Sequence, residues 1–431
     1  MSPRSARGGA FLRSRGGDIG FSEFLALAGS LAASLPDRPA ALNLCERRDN
    51  FLVAFTAMLI REQVCLLPSS RVPAVVSEVT EEHPSSYVLD DACVEHARSA
   101  QPATELSFPA IPPDRVVVIG YTSGSTGRPR PNPKTWGGFS ACTALNASRL
   151  RERLPAKWEG ILPWIVATVP SQHMYGMELS VLMPLLAGKG IHGGHPLYPA
   201  DIASALADVP GPRILVSTPV HLRALLESGV ELPELGAILS ATAPLSAELA
   251  RAIERRFGTV LLEYFGSTET CIVASRRTAV DDTWNPYPGV KLVPADDGTQ
   301  VDAPWFGSPV ELQDVLEIQP DGAFTVRNRN ADMVEVAGKR ASLADLTRRL
   351  ASIPGVSDAV VFQPDDASGT SVRRLAALVV AEGMLEGDLL DKLAQAVDPA
   401  FLPRPLVLVP RLPRNEVGKL PRAQLLAALR R

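Results

Sequence analysis

Two textures alternate along the first two thirds of the chain. Short apolar runs, "AALNL" (40–44), "CLLP" (65–68), "SYVL" (86–89), "RVVVIG" (115–120), "WIVATVP" (164–170), "RILVSTP" (213–219), "LGAILSAT" (235–242) and "TVLLEYFG" (259–266), read as buried strands. Between them lie longer stretches with helical spacing: "FSEFLALAGSLAASL", "NFLVAFTAMLIRE", "FSACTALNASRLRERL", "MELSVLMPLLAG", "VHLRALLESG" and "LSAELARAIERRFG". Strands alternating with helices of ten to fifteen residues predict βαβ units and a largely parallel sheet. The fold class expected is therefore α/β, a large N-terminal domain of mixed and parallel sheets flanked by helices.

The texture changes after Pro286. A Pro/Gly/Asp-rich stretch leads into "VLEIQPDGAFTV", a hairpin with Asp321-Gly322 at its turn. "SLADLTRRLASI" predicts a helix with Ser342 and Asp345 in capping-box spacing, and "DAVVFQ", "RRLAALVVA" and "GDLLDKLAQAV" follow as two strands and a helix. Three segments are expected: a disordered basic tail at 1–19, a large domain at 20–329 and a small α+β domain at 330–431. The tail assignment rests on "MSPRSARGGAFLRSRGG", rich in Arg and Ser with no acid before Asp18.

Composition narrows the function classes. With 431 residues, 46% hydrophobic content and a formal charge of −4, the chain has no cationic excess to suit a nucleic acid or a membrane surface. Apolar runs such as Ile161–Val169 are too short for membrane insertion. The cysteines at 45, 65, 93, 142 and 271 are odd in number and lack metal-ligand spacing, which predicts unpaired thiols in a reducing, cytoplasmic setting.

Chemistry concentrates first in "YTSGSTGRPRPNPKTW", which starts at Tyr121. Small hydroxyl residues and glycines directly after a strand make an anion cradle from backbone N–H groups. The P-loop pattern does not fit, because Pro129 stands where that pattern needs Gly-Lys. A hydrolase elbow of the G-x-S-x-G type is absent.

Four further segments follow in order: "QHMYG" (172–176), "EYFGSTET" (263–270), "NRNADMVEVAGKR" (328–340) and "LPRNEVGKLPR" (412–422). Together with the opening loop they resemble the adenylate-forming superfamily of acyl- and aryl-CoA synthetases, luciferases and peptide-synthetase adenylation domains. The resemblance implies ATP and Mg2+ as cofactors. It places Thr122, Ser123, Gly124, Ser125, Thr126 and Gly127 at the ATP phosphates, with Arg130 in place of the family's lysine and Lys134 downstream as the rival cation. It puts Phe265 on adenine, Thr268 on the α-phosphate and Glu269 on the metal, with Thr268, Glu269 and Lys419 as the catalytic set. Asp314 would grip the ribose hydroxyls and Arg329 would touch the nucleotide. His173, Tyr175, Ala243 and Gly266 would line the acid pocket, Ala331 would be the hinge of a mobile 330–431 domain, and Gly338 would line the pantetheine tunnel. Ala241 and Ala243 stand where the family has glycines.

The reaction implied joins a carboxylic acid to a thiol through an acyl-adenylate, with release of pyrophosphate and AMP. Details such as "LNLCERRDNFLVAFTAML" and "GRPRPNPKTW" look most like a bacterial subgroup that loads aryl acids, typically 4-hydroxybenzoate, onto an acyl carrier protein. A CoA ligase for a similar acid is the same-class alternative. An inactive relative serving as a binding module is the alternative from another class.

Overall fold

The computed structural model describes residues 9–99, 107–123, 129–243, 245–295, 298–312, 314–329, 333–336, 339–364, 374–413, 420 and 422–429. The chain divides into two compact units. One comprises residues 1–67, 85–120 and 132–330; the other comprises 68–84, 121–131 and 331–431. One division falls between residues 330 and 331, and two earlier pieces, 68–84 and 121–131, join the C-terminal residues. Glu78, from the helix Pro73–Glu82, pairs with Arg349 at 2.8 Å inside that second unit.

Among the described residues the first unit is built on a nine-stranded sheet. In spatial order its strands are Asn285–Pro286, Cys271–Arg276, Val260–Ser267, Leu235–Ser240, Arg213–Ser217, Trp164–Ala167, Gly190–His192, Ala10–Ser14 and Gly17–Gly20. The central six run parallel, as βαβ alternation requires. Antiparallel strands close both edges. A second sheet orders Tyr87–Leu89, Ala40–Asn43, Val64–Leu67, Val116–Ser123 and Pro129–Thr135.

Two expectations need correction. Residues 10–20 are not a frayed tail: Leu12 pairs with Ile191, and Phe11 and Leu12 are buried. The arginine that suggested disorder, Arg13, is bound by Asp18 and Asp208. The proline-rich stretch after the glycine loop is a strand, Pro129–Thr135, at the edge of its sheet. Prolines at 129, 131 and 133 put every missing N–H on the same side, which only an edge strand tolerates. The same period places Arg130, Asn132 and Lys134 on one face.

The second unit has its own core. Strand Val356–Phe362 pairs antiparallel with Ala376–Ala381, which pairs parallel with Leu406–Leu408. Ala359, Val361, Ala377 and Val379 face one apolar cluster, while Phe362, Ala376 and Leu378 face another. Helix Leu343–Ala351 starts as expected, with the Ser342 hydroxyl accepting from the Asp345 N–H.

Helix Arg48–Ile60 is apolar from Phe51 onward except for Thr56, and it is buried along nearly its whole length. Arg48 opens it and is 1% exposed. It donates to the carbonyls of Ala167 (3.0 Å) and Val169 (2.6 Å) and to the hydroxyls of Ser171 and Ser180. The segment that leads from the sheet into His173 is therefore tied to the first unit's core by one cation. Arg48→Met should leave both carbonyls unanswered and cost at least ~2 kcal/mol, read as a lower urea midpoint at unchanged m-value. Arg48→Lys should recover little, because a point charge cannot reproduce a planar fork. An unshifted midpoint for Arg48→Met would remove this role.

Candidate active site

Four neighbouring parallel strands, Trp164–Ala167, Arg213–Ser217, Leu235–Ser240 and Val260–Ser267, end on the same edge of the large sheet. Ligands of open α/β sheets bind outside the carboxyl ends of such strands. The segments that leave these ends are 168–176, 218–221, 241–246 and 268–270, so topology brings "QHMYG", "SATAPLS" and "GSTET" to one edge.

Thr268 and Glu269 sit on a three-residue turn between the strands Val260–Ser267 and Cys271–Arg276. Hydroxyls hold that turn. Ser267 Oγ accepts from the N–H groups of Glu269 (3.1 Å) and Thr270 (3.2 Å), and the Ser267 N–H donates to Thr270 Oγ1 at 3.1 Å. Thr270 Oγ1 in turn donates to the Cys271 carbonyl, and Cys271 takes a φ of 59°. Gly266 is dictated by this geometry, because a Cβ there would lie 2.1 Å from the Cys271 oxygen.

Three motif segments meet at the turn. A Cβ on Gly120, at the end of the run "RVVVIG", would lie 3.1 Å from Thr268 Cγ2 and 3.2 Å from Met174 Cε. Lys134 Nζ donates to the Glu269 carbonyl at 2.5 Å. Of the two rival cations, Lys134 is thus the one at the Thr-Glu turn, while Arg130 is exposed and belongs to the second unit, which also holds half-buried Thr122. Asp314 and Arg329, widely separated in sequence, are cross-strand partners in the hairpin Asp314–Ile318/Phe324–Arg329. Gly322 turns that hairpin with a φ of 88°, as Asp321-Gly322 predicts. Backbone Asp314 O accepts from Thr299 Oγ1 at 2.9 Å.

Other expected roles shift. Phe265 is 7% exposed and packs against Trp284 and Phe324, with ring centroids 5.3 and 5.2 Å away. Strand alternation turns it from Tyr264 and into this aromatic cluster, so it is a core aromatic and not an open stacking face. Tyr175 is buried and its hydroxyl donates to the Ser217 carbonyl at 3.3 Å. His173 is half-buried at the N-terminus of the helical run Met174–Ala187. In "SATAPLS" Thr242 adopts a φ of 79°, a strained conformation for a β-branched residue. Ala243 is half-buried beside it, and the Leu245 N–H reaches Glu263 Oε1 at 3.3 Å. Glu263 is itself held by Arg276 and Thr278. Thr242 Oγ1 and Gln172 Oε1 are buried without a hydrogen-bond partner.

Sequence reading missed a buried polar cluster beneath the turn. Glu178 is the lone charge in "MELSVLMPLLAG", and that was the available signal. It lies on a π turn, Glu178–Leu182, a feature frequent at functional sites. The Ile272 N–H donates to both its oxygens (3.0 and 3.2 Å), Asn146 Nδ2 donates at 3.3 Å, and Tyr287 holds Asn146 at 2.6 Å. Burial pushes its carboxyl well above the usual range. Cys142 and Cys271 adjoin it. His221 was missed as well: its Nδ1 lies 2.8 Å from Thr168 Oγ1 and 3.2 Å from Thr218 Oγ1, and burial lowers its pKa. Ser123 and Arg329 end strands, whereas Gly124, Ser125, Thr126, Gly127, Ala331, Gly338 and Lys419 lie outside the described residues.

The chain belongs to the AMP-binding enzyme family, whose model matches residues 53–315 and whose C-terminal domain model matches residues 348–419. It is an enzyme of the adenylate-forming, acid–thiol ligase type. A 4-coumarate–CoA ligase of Halorhodospira halophila is 27% identical over 323 residues, covering 69% of this chain and 73% of that protein. An indoleacetate–CoA ligase of Aromatoleum aromaticum is 25% identical over 377 residues, covering 78% and 71%. In fold, the chain resembles the o-succinylbenzoate CoA synthetase of Bacillus subtilis, with a TM-score of 0.79 at 18% identity over 96% of this chain and 95% of the other. Among the described residues no helix is long and apolar enough to cross a membrane.

Gly266→Ala should cost roughly 3 kcal/mol, since the clash is with backbone, and should loosen nucleotide binding. Unchanged thermal stability together with unchanged AMP affinity would contradict this. Glu178 supplies a pH test. Its folded pKa is raised above the unfolded value of about 4.3, so wild-type stability falls as pH climbs above that value. Glu178→Gln has no such slope. Measured in chelator, its stability relative to wild type should rise as pH climbs above roughly 5, by at most about 1.4 kcal/mol per unit. A flat or falling difference would refute the shift.

Proposed function

We propose that this enzyme uses ATP and Mg2+ to adenylate an aryl carboxylic acid and then transfers the acyl group to a pantetheine thiol, that of coenzyme A. The observation that carries the reading is the contact of Gly120 with Thr268 and Met174, which unites phosphate-loop strand, Thr-Glu turn and pocket segment. Glycine at 120 leaves a bare floor beside Thr268. The unpartnered Thr242 Oγ1 and Gln172 Oε1 fit a ligand with polar groups of its own.

The residues present suit the family's cofactors. Glu269 is a half-buried carboxylate on a turn fixed by Ser267, and Mg2+ characteristically takes one or two carboxylates, completing its shell with waters and phosphates. Bound there, Mg2+ would neutralise phosphate charge. The acid's carboxylate attacks the α-phosphorus in line and pyrophosphate leaves. Thr268 holds the α-phosphate, and Lys134 fixes the turn by its hold on the Glu269 carbonyl. Lys419 supplies a compact ammonium between carboxylate and α-phosphate as charge moves from one to the other.

Two relatives named for aryl acids, 4-coumarate and indoleacetate, support the substrate class, and their names as CoA ligases support the acceptor. The motif likeness to carrier-loading enzymes supports an acyl carrier protein and a 4-hydroxybenzoate-type acid as the second reading. Acid-dependent ATP–pyrophosphate exchange over a panel of aryl and fatty acids tests the first step. Aryl acids should give the highest kcat/KM; no exchange with any acid would sink the reading. In the second step, a higher kcat/KM with holo carrier protein than with coenzyme A would replace the proposed acceptor.

Glu269→Gln should largely abolish exchange at saturating Mg2+, and wild-type rates would remove Glu269 from the site. Lys419→Ala should lose roughly 10²–10³ in adenylation, about 3–4 kcal/mol, yet still transfer a supplied acyl-adenylate. Equal loss in both half-reactions would contradict a lysine that serves only the first.

A further inference from the structure

We propose that Cys142, Glu178 and Cys271 form a binding site for a thiophilic divalent cation of the Zn2+ class. The site lies directly beneath the Thr268–Glu269 turn and is separate from the position expected for Mg2+. Cys142 comes from helix Trp136–Arg151, Glu178 from the π turn and Cys271 from the first residue of strand Cys271–Arg276. Their two sulfurs and a carboxylate oxygen all lie within 4.8 Å of one another. The centre of a triangle that wide is about 2.8 Å from each corner at most, against ~2.3 Å for a Zn–S bond and ~2.0–2.2 Å for Zn–O. Contraction by about half an ångström closes the site.

The donor set selects the ion. Two thiolates and one carboxylate suit Zn2+ or Cd2+ and repel the preferences of Mg2+, which takes oxygen ligands. Three protein ligands leave one tetrahedral position for water. The carboxylate is already oriented, by the Ile272 N–H and by Asn146, which Tyr287 fixes in turn. Such outer partners are typical of metal ligands. Charge balances too. Three anionic donors exceed a dication by one negative charge, and the Lys134 ammonium, held at the Glu269 carbonyl, acts electrostatically on all three groups. A bound cation would tie the strand that follows the catalytic turn to two helical elements, so it stabilises the site's foundation. All three residues are buried, and Cys271 is the most open at 5% exposed. Each thiol, and the Glu178 carboxyl that burial keeps protonated to higher pH, releases its proton to solvent on binding.

The test uses the whole purified chain, reduced and stripped with chelator, without ATP, acid or Mg2+, so its outcome is independent of the adenylation reading. Cd2+ titration should give one equivalent bound, an ultraviolet sulfur-to-cadmium charge-transfer band and a raised Tm. Cys142→Ser and Cys271→Ser should each abolish the band. Absence of stoichiometric binding in the wild type, or a band that persists in both serine variants, overturns the proposal. If either serine variant misfolds, Glu178→Gln decides, since it keeps the side chain's shape. An affinity loss of at least tenfold supports the site, and unchanged affinity overturns it.

Discussion

A single steric constraint governs the site. The strand Val260–Ser267 reverses into Cys271–Arg276 so tightly that the Cys271 carbonyl occupies the space of a side chain at 266. Only glycine fits. Because the reversal is that tight, Thr268 and Glu269 project from a turn with almost no freedom, and the hydroxyls of Ser267 and Thr270 absorb its backbone N–H groups. Preorganised donors and charges act most strongly when they need no rearrangement during reaction. Gly120 and Lys134 then approach a rigid object, one by lacking a side chain and the other by reaching the Glu269 carbonyl.

Rigidity at the turn is supported from below by polar groups in apolar surroundings. Arg48 opens a buried, mainly apolar helix and binds the carbonyls that precede the His173 segment. Glu178, a helical residue in an equally apolar run, caps the Ile272 N–H behind the turn. Each is costly to bury and would be costlier to remove, because its partners would be left unsatisfied. They fix the relative placement of sheet, helix and turn where apolar packing alone would tolerate sliding. Strain at Thr242 belongs to the same economy: a positive φ on a β-branched residue persists only where the surroundings over-determine it.

Much of this was legible before any coordinates. Alternating apolar runs and amphipathic stretches gave the parallel strands and their helices, since both periodicities are local. Asp321-Gly322 and Ser342 marked a turn and a helix start through chemistry acting within a few residues. The strand Pro129–Thr135 was illegible because proline argues against strands unless the edge position is known. The strand Ala10–Ser14 hid behind Arg13, whose partner Asp208 is nearly two hundred residues away.

By itself, the sequence determined most of the alternating strands and helices and the ordered motifs of an AMP-binding enzyme, because each depends on neighbours along the chain. Only the tertiary structure decided which cation meets the Thr-Glu turn, that Phe265 belongs to the aromatic core, and that Cys142, Glu178 and Cys271 converge. Those facts depend on which face of a strand or helix meets which distant partner. Spacing along a chain carries no record of that, since sheet order and crossover connections set it.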